Sequence, residues 1–293
     1  MRIAFLGTGR MGTELALHLI PDHQLTVWNR TSERTARLAE AGAKVASSPA
    51  QAVDGAELII TSLFGPEAVR ESVIAPGIIP RGVPWVDTTT VSPADADEFA
   101  AAVPTYVGVP VVGSLGPARA GALGVYVGTP DEARRALVLD LVAPWADPER
   151  LHGVDSGRRA ATGKLLANLA LAVSAQGLRE ALALGESAGA SAEETLGMLG
   201  GTGLAFIAGM KGPFVRGERS TDGGDFTADA IAKDAYLMID TVDASADDAG
   251  PRPGTDLPAL RAALASLDAE IAAGHGDDDF STILLEEAEH TGE

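Results

Sequence analysis

Arg2-Ile3-Ala4-Phe5-Leu6-Gly7-Thr8-Gly9-Arg10-Met11-Gly12-Thr13-Glu14-Leu15-Ala16-Leu17 opens the chain with a short apolar run, a glycine-rich turn and the first residues of a helical stripe. Gly7, Gly9 and Gly12 form G-x-G-x-x-G at the junction of strand and helix. There the first glycine permits a tight turn, and the backbone can approach a pyrophosphate held at the helix N-terminus. The pattern alone is weak; its placement at the first strand-to-helix junction supplies the specificity. Gly7, Gly9, Arg10, Met11 and Gly12 are therefore candidate contacts to a dinucleotide.

Working outward, strand signals recur at residues 24–28, 44–46, 57–63, 84–87, 105–109 and 123–127. Helical segments fall between them at 32–41, 66–72 and 93–101. This alternation predicts an α/β doubly wound parallel sheet of the Rossmann kind. Beyond about residue 156 the strand signals stop. Over 160–187, Leu165, Leu166, Leu169, Leu171, Val173 and Leu178 cover most of a helix's circumference, the mark of a buried helix. Further helices are expected at 192–199, 204–209, 227–243 and 257–273, with an Asp-, Gly- and Pro-rich surface loop at 245–255. The expected organisation is a Rossmann domain over 1–158 and an all-helical domain over 159–293, joined by the long buried helix.

The net charge of -19 argues against nucleic acid and acidic membranes as partners, because both demand clustered Lys and Arg. It also makes any cation beside an anion site informative. The second strand ends in Asn29, where an NAD site usually has a carboxylate for the ribose hydroxyls. Asn29, Arg30 and Thr31 offer an amide, a guanidinium and a hydroxyl, a set suited to the 2'-phosphate of NADP. The same turn could instead cap the next helix through Thr31 or Ser32.

With no cysteine there is no disulfide and no thiolate metal site. His18, His23, His152, His275 and His290 lack paired ligand spacing, so no metal is expected. No signal-like segment opens the chain and no run approaches the roughly 18 apolar residues of a membrane span. A cytoplasmic protein is expected.

Taken together, these features resemble the beta-hydroxyacid dehydrogenase family, within the 6-phosphogluconate dehydrogenase-like superfamily, over nearly the whole chain. The glycine turn and Val27-Trp28-Asn29-Arg30-Thr31 come first. Asp87-Thr88-Thr89-Thr90-Val91-Ser92-Pro93 is similar to the family's D-x-S-T-x-x-P, and Pro110-Val111-Val112-Gly113-Ser114 to its substrate loop. Residues 118–128 look like the segment that follows. Lys164 with Asn168, then Gly224-Asp225-Phe226 leading to Lys233-Asp234, and residues 276–281 complete the likeness.

The resemblance implies that Lys164 is the general acid of carbonyl reduction and the base of the reverse reaction, with Asn168 beside it. A lysine at the start of a buried helix is hard to place as a solvated ammonium, and burial should lower its pKa. Asn168, four residues on, shares its helical side. By the same likeness Leu63, Phe64 and Thr90 line the nicotinamide, Lys233 lies near cofactor and substrate, and Phe226 precedes it by seven residues on the same helical side. A surface Lys-Asp pair is the alternative for Lys233. The active site should lie in the cleft between domains, and the helical half should build a homodimer.

One departure bears on the substrate. The family's loop commonly reads P-V-S-G-G, its Ser hydroxyl and the following amides holding a carboxylate; here Val112 replaces the Ser and Ser114 the second Gly. Losing that hydrogen bond weakens an acid by about 1–3 kcal/mol unless Gly113 and Ser114 compensate. The implied function is hydride transfer between NADPH and a small carbonyl, either a semialdehyde or a 2- or 3-hydroxyacid type. Imine reduction on the same fold and non-catalytic NADP binding are the alternatives.

Overall fold

Every residue after Arg2 in β1 (Arg2–Leu6) is buried, as the centre of a sheet covered on both faces requires. Ile3 and Phe5 enter one apolar layer with Leu15, Ala16 and Leu19 of α1 (Arg10–Leu19) and Val138 and Val142 of α7 (Glu132–Val142). Ala4 and Leu6 enter the opposite layer with Ala52, Trp85, Ala96 and Phe99. The period of two thus sorts one strand's side chains into two cores, with helices on both faces.

In a computed structural model, residues 1–244 and 256–285 are described; the loop expected over 245–255 and His290 lie outside them. The remaining strands are β2 (Gln24–Trp28), β3 (Lys44–Val45), β4 (Leu58–Thr61), β5 (Trp85–Asp87), β6 (Tyr106–Gly108), β7 (Val111–Val112), β8 (Leu123–Gly128) and β9 (Ala146–Val154). They run in the order β3-β2-β1-β4-β5-β6-β8-β7, with β9 against β8. The first six are parallel, whereas β8 is antiparallel to β6 and β7 and parallel to β9. The chain reverses its direction of growth between β1 and β4, the switch point at which open α/β sheets bind ligands.

Further helices of this part are α2 (Ala36–Glu40), α3 (Pro49–Val53), α4 (Pro66–Val69), α5 (Pro93–Ala102) and α6 (Leu115–Ala120). The helix expected over 32–41 begins as a 3-10 turn (Ser32–Thr35), and that over 66–72 continues from α4 into a π-turn (Arg70–Ile74). Strand β9 has no counterpart among the sequence expectations. Its residues Ala-Asp-Pro-Glu-Arg-Leu-His-Gly-Val are mostly exposed, so an edge strand with one paired neighbour shows little apolar alternation.

The chain divides into two units, Met1–Leu165 and Leu166–Glu293. The division falls inside α8 (Gly157–Ser187), whereas the expected boundary lay at its start. The second unit holds α9 (Ala192–Met198), α10 (Ala205–Val215), α11 (Ala228–Asp243) and α12 (Pro258–Ala272). Helix α8 is not buried all round: Ala161, Lys164, Leu165, Asn168, Ala172, Ala175 and Leu178 form a buried stripe at helical spacing, while Leu166 is 60% exposed. Leucine content alone overstated the burial because Leu166, Leu169 and Leu171 lie off that stripe.

Candidate active site

The glycine turn has the geometry its sequence implies. Gly7 adopts φ 95°, and a Cβ there would lie 2.3 Å from the Ser62 carbonyl oxygen. One on Gly12 would lie 2.2 Å from the Gly7 oxygen, so close packing of helix on turn demands glycine at both places. Gly9 differs, since no heavy atom lies within 4 Å of where its Cβ would be. It begins α1 with no side-chain cap and no acid in the first turn. Open space over uncapped N–H groups is what an anion requires. The buried Thr8 hydroxyl has no hydrogen-bond partner within the described residues. These donors fit the pyrophosphate of a nicotinamide dinucleotide.

Asn29, Arg30 and Thr31 follow β2 at the same end of the sheet. The Thr8 amide donates to Asn29 Oδ1 at 3.0 Å, and Asn29 Nδ2 donates to the Thr31 carbonyl at 2.9 Å. Asn29 therefore ties the glycine turn to the Arg30-Thr31 turn. Arg30 is exposed and makes no ion pair among the described residues. Thr31 precedes the 3-10 turn without capping it through its side chain.

Leu63 and Phe64 follow β4, and Thr90 follows β5. The Leu63 amide donates to Thr89 Oγ1 at 3.0 Å, joining the two loops. Phe64 is largely exposed and Thr90 half-buried. Beneath them Asp87 is buried, accepting from Thr61 Oγ1 at 2.7 Å and from the Thr89 amide at 3.1 Å, while its Oδ2 has no partner among the described residues. Burial outweighs these bonds and pushes its pKa up to about 6.

An acid whose folded pKa is raised binds its proton more tightly in the folded state, so stability falls as pH rises from about 4 to 6 and stays lower above that. Asp87→Asn keeps an oxygen for both donors and removes the buried charge. Thermal denaturation at pH 7.5 should show a variant stabilised by up to about 3 kcal/mol, with a flatter profile between pH 4 and 6. A lower Tm at pH 7.5 would contradict this account.

Lys164 lies on α8 and is 8% exposed. Its neighbour Gly163 rests on the ring of Tyr126 in β8; a Cβ there would meet three ring atoms at 2.9–3.0 Å. Tyr126 also contacts His152 of β9, ring centroids 5.5 Å apart. Tyr126 and Gly128 point to the α8 side of the sheet, while Leu123, Val125 and Val127 enter the other core. Val112, half-buried at the end of β7, pairs with Gly124 on that same α8 side, and Gly113 and Ser114 lead from it into α6.

In the helical unit, Asn168 Nδ2 donates to Asp234 Oδ2 at 2.5 Å, and Lys233 Nζ pairs with Asp234 Oδ1. Asp234 is 2% exposed, so the Lys233-Asp234 pair is not a surface pair. A carboxylate accepts only, which fixes the Asn168 amide with its nitrogen toward Asp234 and its oxygen turned away. Phe226 does not share a helical side with Lys233, because α11 begins at Ala228 with Thr227 as its N-cap. Helical spacing was carried two residues too far, past a residue whose hydroxyl accepts from the Ala230 amide at 3.3 Å.

Phe226 is held by a buried pair that the sequence reading missed. Its amide reaches Asp279 Oδ2 at 3.4 Å, its carbonyl accepts from the Phe280 amide at 3.0 Å, and the two rings meet edge to face at 5.9 Å. Asp279 accepts from Lys211 Nζ at 2.6 Å and from the Ser281 amide and hydroxyl. Burial alone would raise the Asp279 pKa; Lys211 and Ser281 outweigh it and hold the carboxyl below its ordinary range. The Lys211 ammonium also sits 3.8 Å from the Phe280 ring centroid. Residues 276–281 were singled out only as a run, and Lys211 stands in a Gly-Met-Lys-Gly-Pro-Phe segment with no charge pattern to mark it.

Comparisons with known proteins agree with this architecture. Residues 2–144 match the NAD binding domain of 6-phosphogluconate dehydrogenase. A 3-hydroxyisobutyrate dehydrogenase of Pseudomonas aeruginosa is 32% identical over 298 residues, covering 96% of each chain. Among solved structures, the 3-hydroxyisobutyrate dehydrogenase of Mycobacterium tuberculosis with L-serine superposes with a TM-score of 0.79 at 26% identity, covering 97% of each chain. A reductive aminase of Aspergillus terreus, with NADPH and ethyl levulinate, reaches a TM-score of 0.60 at 20% identity over 97% of this chain and 98% of that one, a likeness of fold. With the dinucleotide turn, the parallel sheet and the helical second unit all in place, the chain belongs to the beta-hydroxyacid dehydrogenase family of NAD-binding dehydrogenases.

Proposed function

We propose that the protein is an NADP-dependent reductase and dehydrogenase acting on a small carbonyl or its alcohol, with Lys164 as the general acid and base. The observation that bears most weight is Lys164 itself, almost fully buried on α8 one residue after the glycine that rests on Tyr126, in the same unit as the dinucleotide turn. When bound, the nicotinamide supplies or takes up the hydride. Lys164 delivers a proton to the carbonyl oxygen as it gains charge, and takes it back in the oxidative direction. Asp234 acts through Asn168 by fixing its amide, and Asn168 stands one helical turn from Lys164. Lys233, Phe226, Leu63, Phe64 and Thr90 are assigned to cofactor or substrate contact by their match to the family pattern. The mycobacterial relative was solved with L-serine, a small hydroxylated acid, which is the size of substrate proposed here.

NADP preference rests on Arg30 and Thr31, exposed side chains beside the glycine turn with no carboxylate at the end of β2. Arg30→Ala should cut the NADP:NAD preference in kcat/KM by roughly 10- to 100-fold, the loss of a charge-assisted contact to the 2'-phosphate. An unchanged preference would remove the assignment. Val112 favours a second reading, reduction of an imine, because it cannot donate to a carboxylate. Side-by-side assay of a cyclic imine and succinic semialdehyde separates the two. The helical unit is assigned to homodimerisation, on exposed Leu184, Met198 and Phe206, and the mass in solution reads this directly.

A further inference from the structure

The site has lost the hydroxyl that its resemblance calls for at Val112, yet a cation stands against the same spot. On the sheet face that carries α8, Gly124 of β8 pairs with Val112 of β7. A Cβ on Gly124 would lie 3.3 Å from Val112 Cβ and 3.0 Å from Arg150 Nη2. The Arg150 guanidinium therefore lies across Gly124, next to Val112, in space that a side chain at Gly124 would crowd. Regular pairing with β8 resumes at Leu151, which packs toward the opposite core, and His152 then lies on the α8 side against Tyr126; Arg150 falls in the register shift just before them, and its contact with Gly124 sets its side. Tyr126, the ring on which Gly163 rests, is two residues from Gly124, about 7 Å along the strand. Val112, Arg150 and Tyr126 thus line one stretch of surface leading to the α8 turn that bears Lys164.

The guanidinium is also available. Its described hydrogen bond, Nη1 to the Ala122 carbonyl, is 3.4 Å long, and it is exposed. In a chain with 41 acidic and 22 basic side chains it makes no ion pair among the described residues. Of the acids on its own strand, Asp147 accepts from the Glu149 amide, and neither carboxylate bridges to Arg150. A planar guanidinium recognises a carboxylate through two parallel N–H bonds, a stronger contact than the single bond of a serine hydroxyl.

We propose that Arg150 is the specificity-determining residue of this site: it binds the carboxylate of the substrate in place of the hydroxyl that Val112 lacks, so the substrate class is a small carbonyl compound bearing a carboxylate. The inference rests on the hydride-transfer reading and deepens it. It also decides between the two readings that Val112 alone left open, because an anion-selective site does not favour a neutral or cationic imine.

Succinic semialdehyde and its methyl ester differ in the charge and in one methyl group, and the effect of the methyl group is common to the original protein and the variant. The selectivity for the acid over the ester in kcat/KM, measured with NADPH, should fall about 10- to 100-fold in Arg150→Met. Arg150→Lys should keep part of it, since the charge remains and the fork is lost. A ratio within twofold of the original in Arg150→Met overturns the proposal, and leaves the hydride-transfer reading standing if both substrates still turn over. Should neither turn over, succinate binding to the protein saturated with NADP is measured by calorimetry. A Kd raised tenfold or more in Arg150→Met supports the carboxylate site independently of chemistry, and an unchanged Kd, or no binding to the original protein, overturns it.

Discussion

Lys164→Met lowers kcat for carbonyl reduction by roughly 100- to 10,000-fold, the range that a positioned general acid contributes. Methionine is the informative replacement, being close to lysine in length, unbranched and apolar, so it fills the nearly buried position on α8 without opening a cavity there. Lys164→Arg should lose a comparable amount although it keeps the charge, because a guanidinium does not give up its proton in this pH range. In the proposed function the cofactor is held chiefly by the glycine turn and the Asn29-Arg30-Thr31 turn, which neither variant touches. Quenching or enhancement of NADPH fluorescence should therefore return a Kd within about threefold of the original, a difference of under 1 kcal/mol. If Lys164→Met turned over within tenfold of the parent, another proton donor would have to be sought. If it failed to bind NADPH, the loss would be one of folding.

The second large effect concerns stability. Lys211→Met leaves the Asp279 carboxylate, fully buried, without its cation and should destabilise the protein by roughly 3–5 kcal/mol, as does removing one partner of a buried pair. Asp279→Asn should cost a similar amount by stranding the ammonium. In the double variant no charge is left stranded, so the loss should be well below the sum of the single losses, a coupling that a double-mutant cycle in urea measures. Additive losses, or a single loss under about 1 kcal/mol, would mean that the pair is incidental. Because the Asp279 pKa is held down in the folded state, its contribution is present above the unfolded carboxyl pKa. It is lost as pH falls through the lower folded value.

Why were some of these features legible in the chain and others not? The dinucleotide turn could be read because its requirements are local: Gly7 and Gly12 are dictated by carbonyl oxygens 2.3 and 2.2 Å from their missing Cβ atoms. The parallel strands could be read because strands buried on both faces are continuous apolar runs. Strand β9 is an exposed edge and carries no such run. The Arg150 guanidinium gains its significance only from Gly124 and Val112, residues 26 and 38 positions earlier that a sheet brings beside it. Asp279 and Lys211 are likewise an ion pair across 68 residues, with no spacing to reveal it.

Within the candidate site, Lys164 and Asn168 stand out in the sequence by a family pattern and by their four-residue spacing on one helix. The acceptor that orients Asn168 was in view only as half of a Lys-Asp pair, and its burial sets aside the alternative of a surface pair. Phe226 shows the opposite error, helical spacing extended beyond an N-cap.

The most direct test of the central claim uses NADPH carrying deuterium at C4, prepared with the label on either face, and succinic semialdehyde as acceptor with the original protein. Direct hydride transfer predicts that one of the two labelled cofactors yields 4-hydroxybutyrate with a single deuterium on its carbinol carbon, and that the other yields unlabelled product. No oxidation of NADPH across a panel of small aldehydes, keto acids and imines, by a protein that binds the cofactor, would contradict it.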